Sequence, residues 1–383
     1  MEIYGVGDDS YKNKIGLCKL LGYEVGDPKE GKRQITFEYG NEAKSNQTIK
    51  LVREFHDFTC EELWRHLTKK AYGCRSVDLS FAYVKGFNME KIIKGKGEDS
   101  VAFSFRGEHA FFDGDTYFSR VVFKGKESSF ANSIFAAGGL TFCKMDFGGN
   151  TVDFTDVFAE RVLFDHCAFR NHDKLKFKRV KELKLPGCVI SQTLWITGAE
   201  ILSFKGTISL GYIYCDWEEN QVGKAIFNNE DTIEEKGRQF AMLKQDYHRI
   251  GSYENEDKAF TAYMRCRRQR LRSKWLKALD GLIDLMGTYG TKPGRVAVTM
   301  LIVWIAFGSV FTGLDLVWGV LSQGVLENPL NGFYFSAITF LTIGYGDIVP
   351  LLTVAKILAP IEGLLGLFLM SYFTVSVVRR TLR

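Results

Sequence analysis

Apolar positions along this chain follow three different rhythms. Near the C-terminus they run almost unbroken. Val296 to Leu314 is nineteen residues without a charge, long enough as a helix to cross a hydrocarbon core of about 30 Å, and Leu351 to Val378 is a second membrane-length segment, broken only by Lys356 and Glu362. Upstream, residues 231–272 carry them at helical spacing: Ile233, Phe240, Leu243, Tyr247 and Ile250, then Ala259, Phe260, Tyr263 and Met264. Gly251-Ser252 separates the two sets, and Ser252 before Glu254, Glu256 and Asp257 is placed to cap the second helix. A helical hairpin is predicted here.

The third rhythm is aromatic. Phe118, Phe130, Phe142 and Phe154 recur every twelve residues, with Phe123, Phe135 and Phe147 repeating the interval five positions later, and Phe164 and Phe169 resuming it. Small or polar residues fill the gaps. A short fixed period means stacked units too small to bury a core alone, so residues 101–215 are predicted to form a β-solenoid. Further coils are expected through Leu183, Leu185, Leu194, Ile196, Phe204, Ile208 and Leu210, ending near Cys215. The five-residue steps, with Phe central and Ala or Asn beside it, resemble pentapeptide-repeat proteins, though the phase slips by two at each twelve-residue unit.

Residues 1–100 are less patterned. Thr59-Cys60-Glu61-Glu62 reads as a capping box opening a helix through Leu63, Trp64 and Leu67, with Lys69 and Lys70 near its end. Short β-prone runs such as Gln34-Ile35-Thr36-Phe37 precede it. An N-terminal cap or small α+β module is expected.

Charge changes this picture in two places. The formal net charge of +5 is too mild to argue for nucleic acid, and residues 101–215 hold 14 Lys+Arg against 12 Asp+Glu, which argues against an acidic DNA mimic. Almost all charge lies before residue 296: from Val296 to Val378 only Asp315, Glu327, Asp347, Lys356 and Glu362 are charged. The second feature is a run of seven basic residues without an acid among them: Arg265, Arg267, Arg268, Arg270, Arg272, Lys274 and Lys277. Trp275, Leu279, Leu282, Ile283 and Met286 follow on one helical face, with Asp280 and Asp284 elsewhere. This suits a helix lying in the cytoplasmic interface with its arginines over anionic headgroups. Gly287, Gly290, Pro293 and Gly294 then turn the chain.

Basic residues crowd the N-terminal side of the first span, and Arg379, Arg380 and Arg383 follow the second, so the positive-inside rule expects residues 1–295 and the C-terminus in the cytoplasm. Met1-Glu2-Ile3-Tyr4 opens without an apolar region, and no signal peptide is expected. The eight cysteines (Cys18, Cys60, Cys74, Cys143, Cys167, Cys188, Cys215 and Cys266) form no C-x-x-C pair, and reduced thiols are expected. Asp153 and Asp156 read as solvated turns, and His109, His166 and His172 as scattered residues without a ligand role. No voltage-sensor helix, GxGxxG or P-loop is present.

Between the spans lie an aromatic-rich segment, Gly332 to Leu341, and then Thr342-Ile343-Gly344-Tyr345-Gly346-Asp347. This stretch resembles the selectivity filter of tetrameric potassium channels. A dehydrated K⁺ needs inward-pointing carbonyl oxygens, and glycines at 344 and 346 permit the backbone that places them. The resemblance implies four subunits round one axis and K⁺ held at Thr342, Ile343, Gly344 and Tyr345, with Gly346 completing the filter. It implies a pore helix over 332–341 whose Tyr334 and Phe335 form an aromatic cuff around Tyr345. Ile338 stands where some relatives carry a glutamate that pairs with the filter aspartate, so Asp347 is expected to lack that partner. Leu341 replaces a second threonine. On the second span, Gly363 or Gly366 falls where the family's inner helix bends, with close packing as the other explanation. Glu362 is expected to face water, the back of the filter or a partner.

The expected fold is therefore multi-domain: an N-terminal cap or α+β region over 1–100, a cytosolic, pentapeptide-repeat-like β-solenoid over 101–215, an α-helical hairpin over 216–274, an interfacial helix and turn over 275–294, and an all-α pore of two transmembrane helices over 295–383. Within the last, spans are expected at 296–316 and 351–378, the pore helix at 332–341 and the filter at 342–347. The expected function is a non-enzymatic, multi-pass, homotetrameric potassium channel of the cell membrane, gated or regulated by the cytosolic repeats. K⁺ is its permeant ion, no cofactor is expected, and anionic lipid is expected at its cytoplasmic face. The regulatory ligand is not readable. The alternative is a membrane-tethered β-helix enzyme, or a binding or adaptor module, without conduction.

Overall fold

A computed structural model describes residues 2–4, 18–41, 48–58, 76–88, 101–123, 128–136, 138–147, 152–170, 173–326 and 328–382. The expected capping box at Thr59, the helix after it, His172, Glu327 and Arg383 lie outside the described residues. The chain forms two compact units, residues 1–260 and 261–383.

The first unit opens on an antiparallel meander of Cys18–Val25, Lys32–Asn41 and Thr48–Phe58, with Glu2–Tyr4 added in parallel to the last of them. Its last strand pairs in parallel with Ala82–Lys85, which opens a β-solenoid. Parallel pairing is already present at Ser76–Asp78 and Ala82–Lys85, N-terminal of residue 101.

The coil is longer than the phenylalanine period. Thr116 pairs with Leu140, Leu140 with Val162, Val162 with Leu183, and Leu183 with Leu202. A circuit thus takes 24 residues, then 22, 21 and 19. The twelve-residue spacing is half a coil. Phe118, Phe142 and Phe164 stack in one column at 5.3 and 4.9 Å, while Phe105, Phe130 and Phe154 stack in another at 4.8 and 5.3 Å. The columns meet edge to face, Phe142 lying 85° to Phe154. Both geometries favour the ring quadrupoles, and all six rings are buried.

Each half-coil turns at a left-handed residue. His109, Asn132 and Asp156 make one corner column, and Arg120, Lys144, His166, Gly187 and Gly206 the other, all with positive φ. The corner amides of His109, Asn132 and Asp156 donate to Ala131, Thr155 and Lys176 in the next coil at 2.8–3.0 Å. Asp153 Oδ1 accepts from Thr155 N, so this carboxylate shapes a turn.

A stack of parallel strands ends in unpaired backbone groups, which must be covered. Helices α1 (Val222–Phe227) and α2 (Ile233–Arg249) supply the cover with polar side chains. Asn220 Oδ1 accepts from Gly198 N, Gln239 Oε1 from Phe204 N and Asp246 Oδ2 from Ile213 N, each at 3.0 Å, while Asn229 donates to Leu202 O at 2.7 Å. Tyr247 donates to the Cys215 carbonyl. The Thr232–Glu235 capping box starts α2. This part of the expected hairpin is the solenoid's C-terminal lid. Helix α3 (Tyr253–Arg270) follows.

The second unit contains α4 (Lys274–Gly287), α5 (Pro293–Trp318), α6 (Asn331–Phe340) and α7 (Thr353–Thr381). Pro293 starts α5, and Gly319, at φ 59°, stops it. The apolar side chains of α5 and α7 are mostly exposed, among them Leu301, Ile302, Leu364 and Leu367. A soluble core would bury these, whereas a bilayer accommodates them. Small residues let α5 and α6 touch: a Cβ on Gly308 would lie 2.5 Å from the Phe333 ring, and one on Gly332 would lie 2.2 Å from Thr312 Oγ1.

Candidate functional site: the loop between the long helices

Helix α6 ends at Phe340, and the chain turns back through 341–347 with every residue exposed. Thr342, Gly344 and Gly346 have φ of 55°, 59° and 78°, while Ile343 and Tyr345 do not enter the positive region. The sign of φ therefore alternates. Ile343 N and Gly344 N both donate to Ile338 O, at 2.9 and 3.2 Å, so Ile338 holds the loop through its backbone carbonyl. The Thr342 hydroxyl donates to Leu341 O at 2.7 Å.

The far end of the loop is tied by side chains. Tyr334 donates to Asp347 Oδ2 at 2.7 Å. Position 338 offers the aspartate no carboxylate, and a phenol one turn before Ile338 reaches it instead. Phe335 differs too. It is buried and meets Phe311 of α5 edge on at 4.9 Å, rather than bracing Tyr345, which is 72% exposed. Asp315, near the end of α5, organises the loop opposite by accepting from Leu321 N and Val325 N at 2.8 and 2.6 Å.

Behind the loop, α7 packs on α6 through Glu362, Gly366 and Leu369, spaced to share one face and all buried. A Cβ on Gly366 would lie 2.0 Å from Phe340 O, whereas one on Gly363 would approach nothing nearer than 3.7 Å. Close packing accounts for the glycine at 366. Glu362 does not face water, because it is fully buried against the Ser336 hydroxyl. A cavity of about 400 Å³ beside the loop is lined by Thr339, Thr342, Gly344, Lys356 and Pro360 among others.

The basic run is also placed differently. Arg265 makes a two-pronged contact with Asp284 at 3.0 and 3.2 Å, Arg268 adds 3.1 Å to the same carboxylate, and Arg267 reaches Asp280 at 2.9 Å. These three arginines are engaged by carboxylates of the next helix and are not left to headgroups, since two buried acids need cations close by. Tyr289 donates to Asp280 at 2.6 Å, and burial, together with that bond to Asp280, pushes its phenol pKa up. Arg272, Lys274 and Lys277 are exposed.

With Asp280 and Asp284 turned inward, α4 presents its apolar side to the exterior: Trp275 is 81% exposed, Leu285 67%, and Leu276, Leu279 and Leu282 about half. The expected face is thus shifted. Ile283 and Met286 instead join Phe340, Leu369 and Tyr372 in an apolar cluster. Tyr372 donates to Ile283 O at 3.3 Å and Ser376 to Gly290 O at 2.9 Å, which binds α4 and its following turn to α7.

The cysteines Cys143, Cys167, Cys188, Cys215 and Cys266 are free thiols. Burial pushes the Cys167 and Cys215 thiols up, away from the reactive thiolate. Among the described residues no group of three His, Cys, Asp or Glu is placed to hold a metal.

Residues 299–383 match a family model described as an ion channel. No curated protein and no solved structure matches the chain. The matched segment spans α6, α7, most of α5 and the loop between α6 and α7. The C-terminal part is an ion-channel domain, and the chain is a membrane protein.

Proposed function

From the ion-channel domain, we propose that this chain is one subunit of a potassium-selective channel whose filter is Thr342–Asp347. The observation that carries the reading is the alternating sign of φ along an exposed loop between two membrane-length helices. In an ordinary strand successive carbonyls point to opposite sides. Reversing φ at every second residue turns them to one side, as a row of oxygens that can replace the hydration shell of K⁺ requires. The residues that supply it are Thr342, Ile343, Gly344 and Tyr345, with Gly346 at the outer end.

Bare backbone at membrane depth is tolerated only inside protein or beside water. Two helices cannot enclose such a path, so four copies close round an axis and meet at the loop. That assembly also covers Tyr345, whose cuff then comes from a neighbouring subunit. The C-terminal end of α6, aimed into the central cavity, favours a cation there. Residues 1–295 and the C-terminus are cytoplasmic, with Arg272, Lys274, Lys277 and the outward face of α4 on an anionic bilayer surface.

The cytosolic solenoid biases the pore through α4. Helix α3 runs from residue 253 into the arginines that grip Asp280 and Asp284, and α4 in turn holds α7 at Tyr372 and Ser376. A stimulus that moves α3 therefore moves the inner end of the pore-lining helix. Reconstitution in liposomes with reversal-potential measurements tests the reading. A K⁺ permeability far above that of Na⁺, abolished by Gly344→Ala, is expected. Equal permeabilities, or conduction indifferent to Gly344→Ala, would refute it.

A further inference from the structure

Glu362 and Ser336 are both fully buried, at 0% exposure, at the crossing of α6 and α7. Ser336 Oγ contacts Glu362 Oε1 and also lies 3.2 Å from Trp304 O on α5. A serine hydroxyl has one proton, and a peptide carbonyl can only accept. If that proton goes to Trp304, the Glu362 oxygen beside Ser336 must bring its own. The other oxygen, Oε2, is buried with no hydrogen-bond partner among the described residues.

An ionised carboxylate would be costly at this position. One charged oxygen would be bare in a low-dielectric interior, which costs far more than leaving a neutral carbonyl unpaired. Among the described residues Glu362 takes part in no ion pair. Helix α6 carries no charged residue, and the charges of α5, Arg295 and Asp315, bind Thr288 and the backbone of 321 and 325. On α7 the nearest cation in sequence is Lys356, about 9 Å away along the axis and on another face.

We propose that Glu362 is held as a neutral carboxylic acid and is a positioning residue for the filter. Its O–H donates to Ser336 Oγ, and the Ser336 O–H donates to Trp304 O. This two-bond relay fastens α7, α6 and α5 at one point. Ile338, two residues past Ser336 on α6, carries the carbonyl that receives the Ile343 and Gly344 amides. A fixed α6 thus means a fixed filter loop. The role in conduction rests on the filter reading above, whereas the protonation state does not.

The test uses the full-length protein in lipid at neutral pH. Infrared spectroscopy is expected to show a protonated-carboxyl C=O band that Glu362→Gln removes and Ser336→Ala shifts upward. Because glutamine still has a donor for Ser336, Glu362→Gln is expected to keep K⁺ flux within about twofold. Glu362→Leu is expected to lose about tenfold, the equivalent of one hydrogen bond. Absence of the band, or its survival in Glu362→Gln, overturns the inference, as does a Gln variant that loses as much flux as the Leu variant. A band that behaves as expected in a protein that passes no ions supports the neutral acid and overturns only the channel reading.

Discussion

The Tyr334 hydroxyl donates to Asp347 Oδ2 at 2.7 Å across thirteen positions that contain the whole of the proposed filter loop. With the Ile338 carbonyl holding the inner end through the amides of Ile343 and Gly344, α6 grips the loop at both ends. The loop is therefore a segment stretched over one helix.

Tyr334→Phe keeps the ring and removes the outer tie. One exposed hydrogen bond contributes about 0.5–1.5 kcal/mol, so folding and assembly should survive. Current recorded under steady K⁺ should instead decay faster than in the parent protein. An unchanged time course would show that the Asp347 end is held by other contacts.

The two glycines of α7 should separate cleanly. Gly366→Ala drives a Cβ to within 2.0 Å of Phe340 O, while Gly363→Ala meets nothing nearer than 3.7 Å. Overpacking of this kind costs about 1–3 kcal/mol. Thermal melts of the purified assembly should fall for Gly366→Ala and stay near the parent for Gly363→Ala. Equal melts would mean that α7 readily moves off α6.

Asp284→Asn removes the acceptor shared by Arg265 and Arg268. The link between α3 and α4 should slacken, changing basal flux without altering the K⁺ to Na⁺ ratio. Exchanging the charges, with Arg265→Asp and Asp284→Arg together, should restore part of the parent flux. No recovery would argue that Arg268 and Arg267 alone bear the link.

Phe142 stacks between Phe118 and Phe164 and meets Phe130, Phe147 and Phe154 edge on. Phe142→Ala should cost about 3–5 kcal/mol, read as a lower denaturation midpoint of the full chain. A loss below about 1 kcal/mol would mean that the coils collapse around the gap.

Asp246 accepts from Ile213 N and Ser209 Oγ under the solenoid lid, and burial pushes its carboxyl pKa up despite those bonds. The folded state then keeps the proton at a pH where the unfolded chain has lost it. Its contribution is complete below the unfolded carboxyl value of about 4 and is lost as pH rises through the folded value. Asp246→Asn should flatten that slope in thermal melts from pH 4 to 7. An identical slope in both proteins would assign it to other groups.

Much of this protein was legible in sequence because its signals are local. An uncharged nineteen-residue run, a capping box at Thr232–Glu235 missed by apolar spacing alone but visible as Thr-x-x-Glu, and phenylalanines at fixed intervals each report a backbone period. What stayed hidden depends on which residues meet across the fold. The twelve-residue spacing does not reveal that it is half a coil, because sequence records an interval but not which strand lies above which. The arginines looked free for lipid, because Asp280 and Asp284 lie 13 to 19 positions away and only the turn between α3 and α4 brings them together.

Length, charge and periodicity suffice to place two apolar helices around Thr342–Asp347 and a phenylalanine-patterned solenoid before them. Three relationships emerge only when the helices pack: the Tyr334 hydroxyl on Asp347, the close contact of Gly366 with Phe340, and Glu362 sealed against Ser336. Those are matters of distance between helices, and a distance between helices is set by the packing of all the side chains at the crossing, which no single stretch of sequence contains.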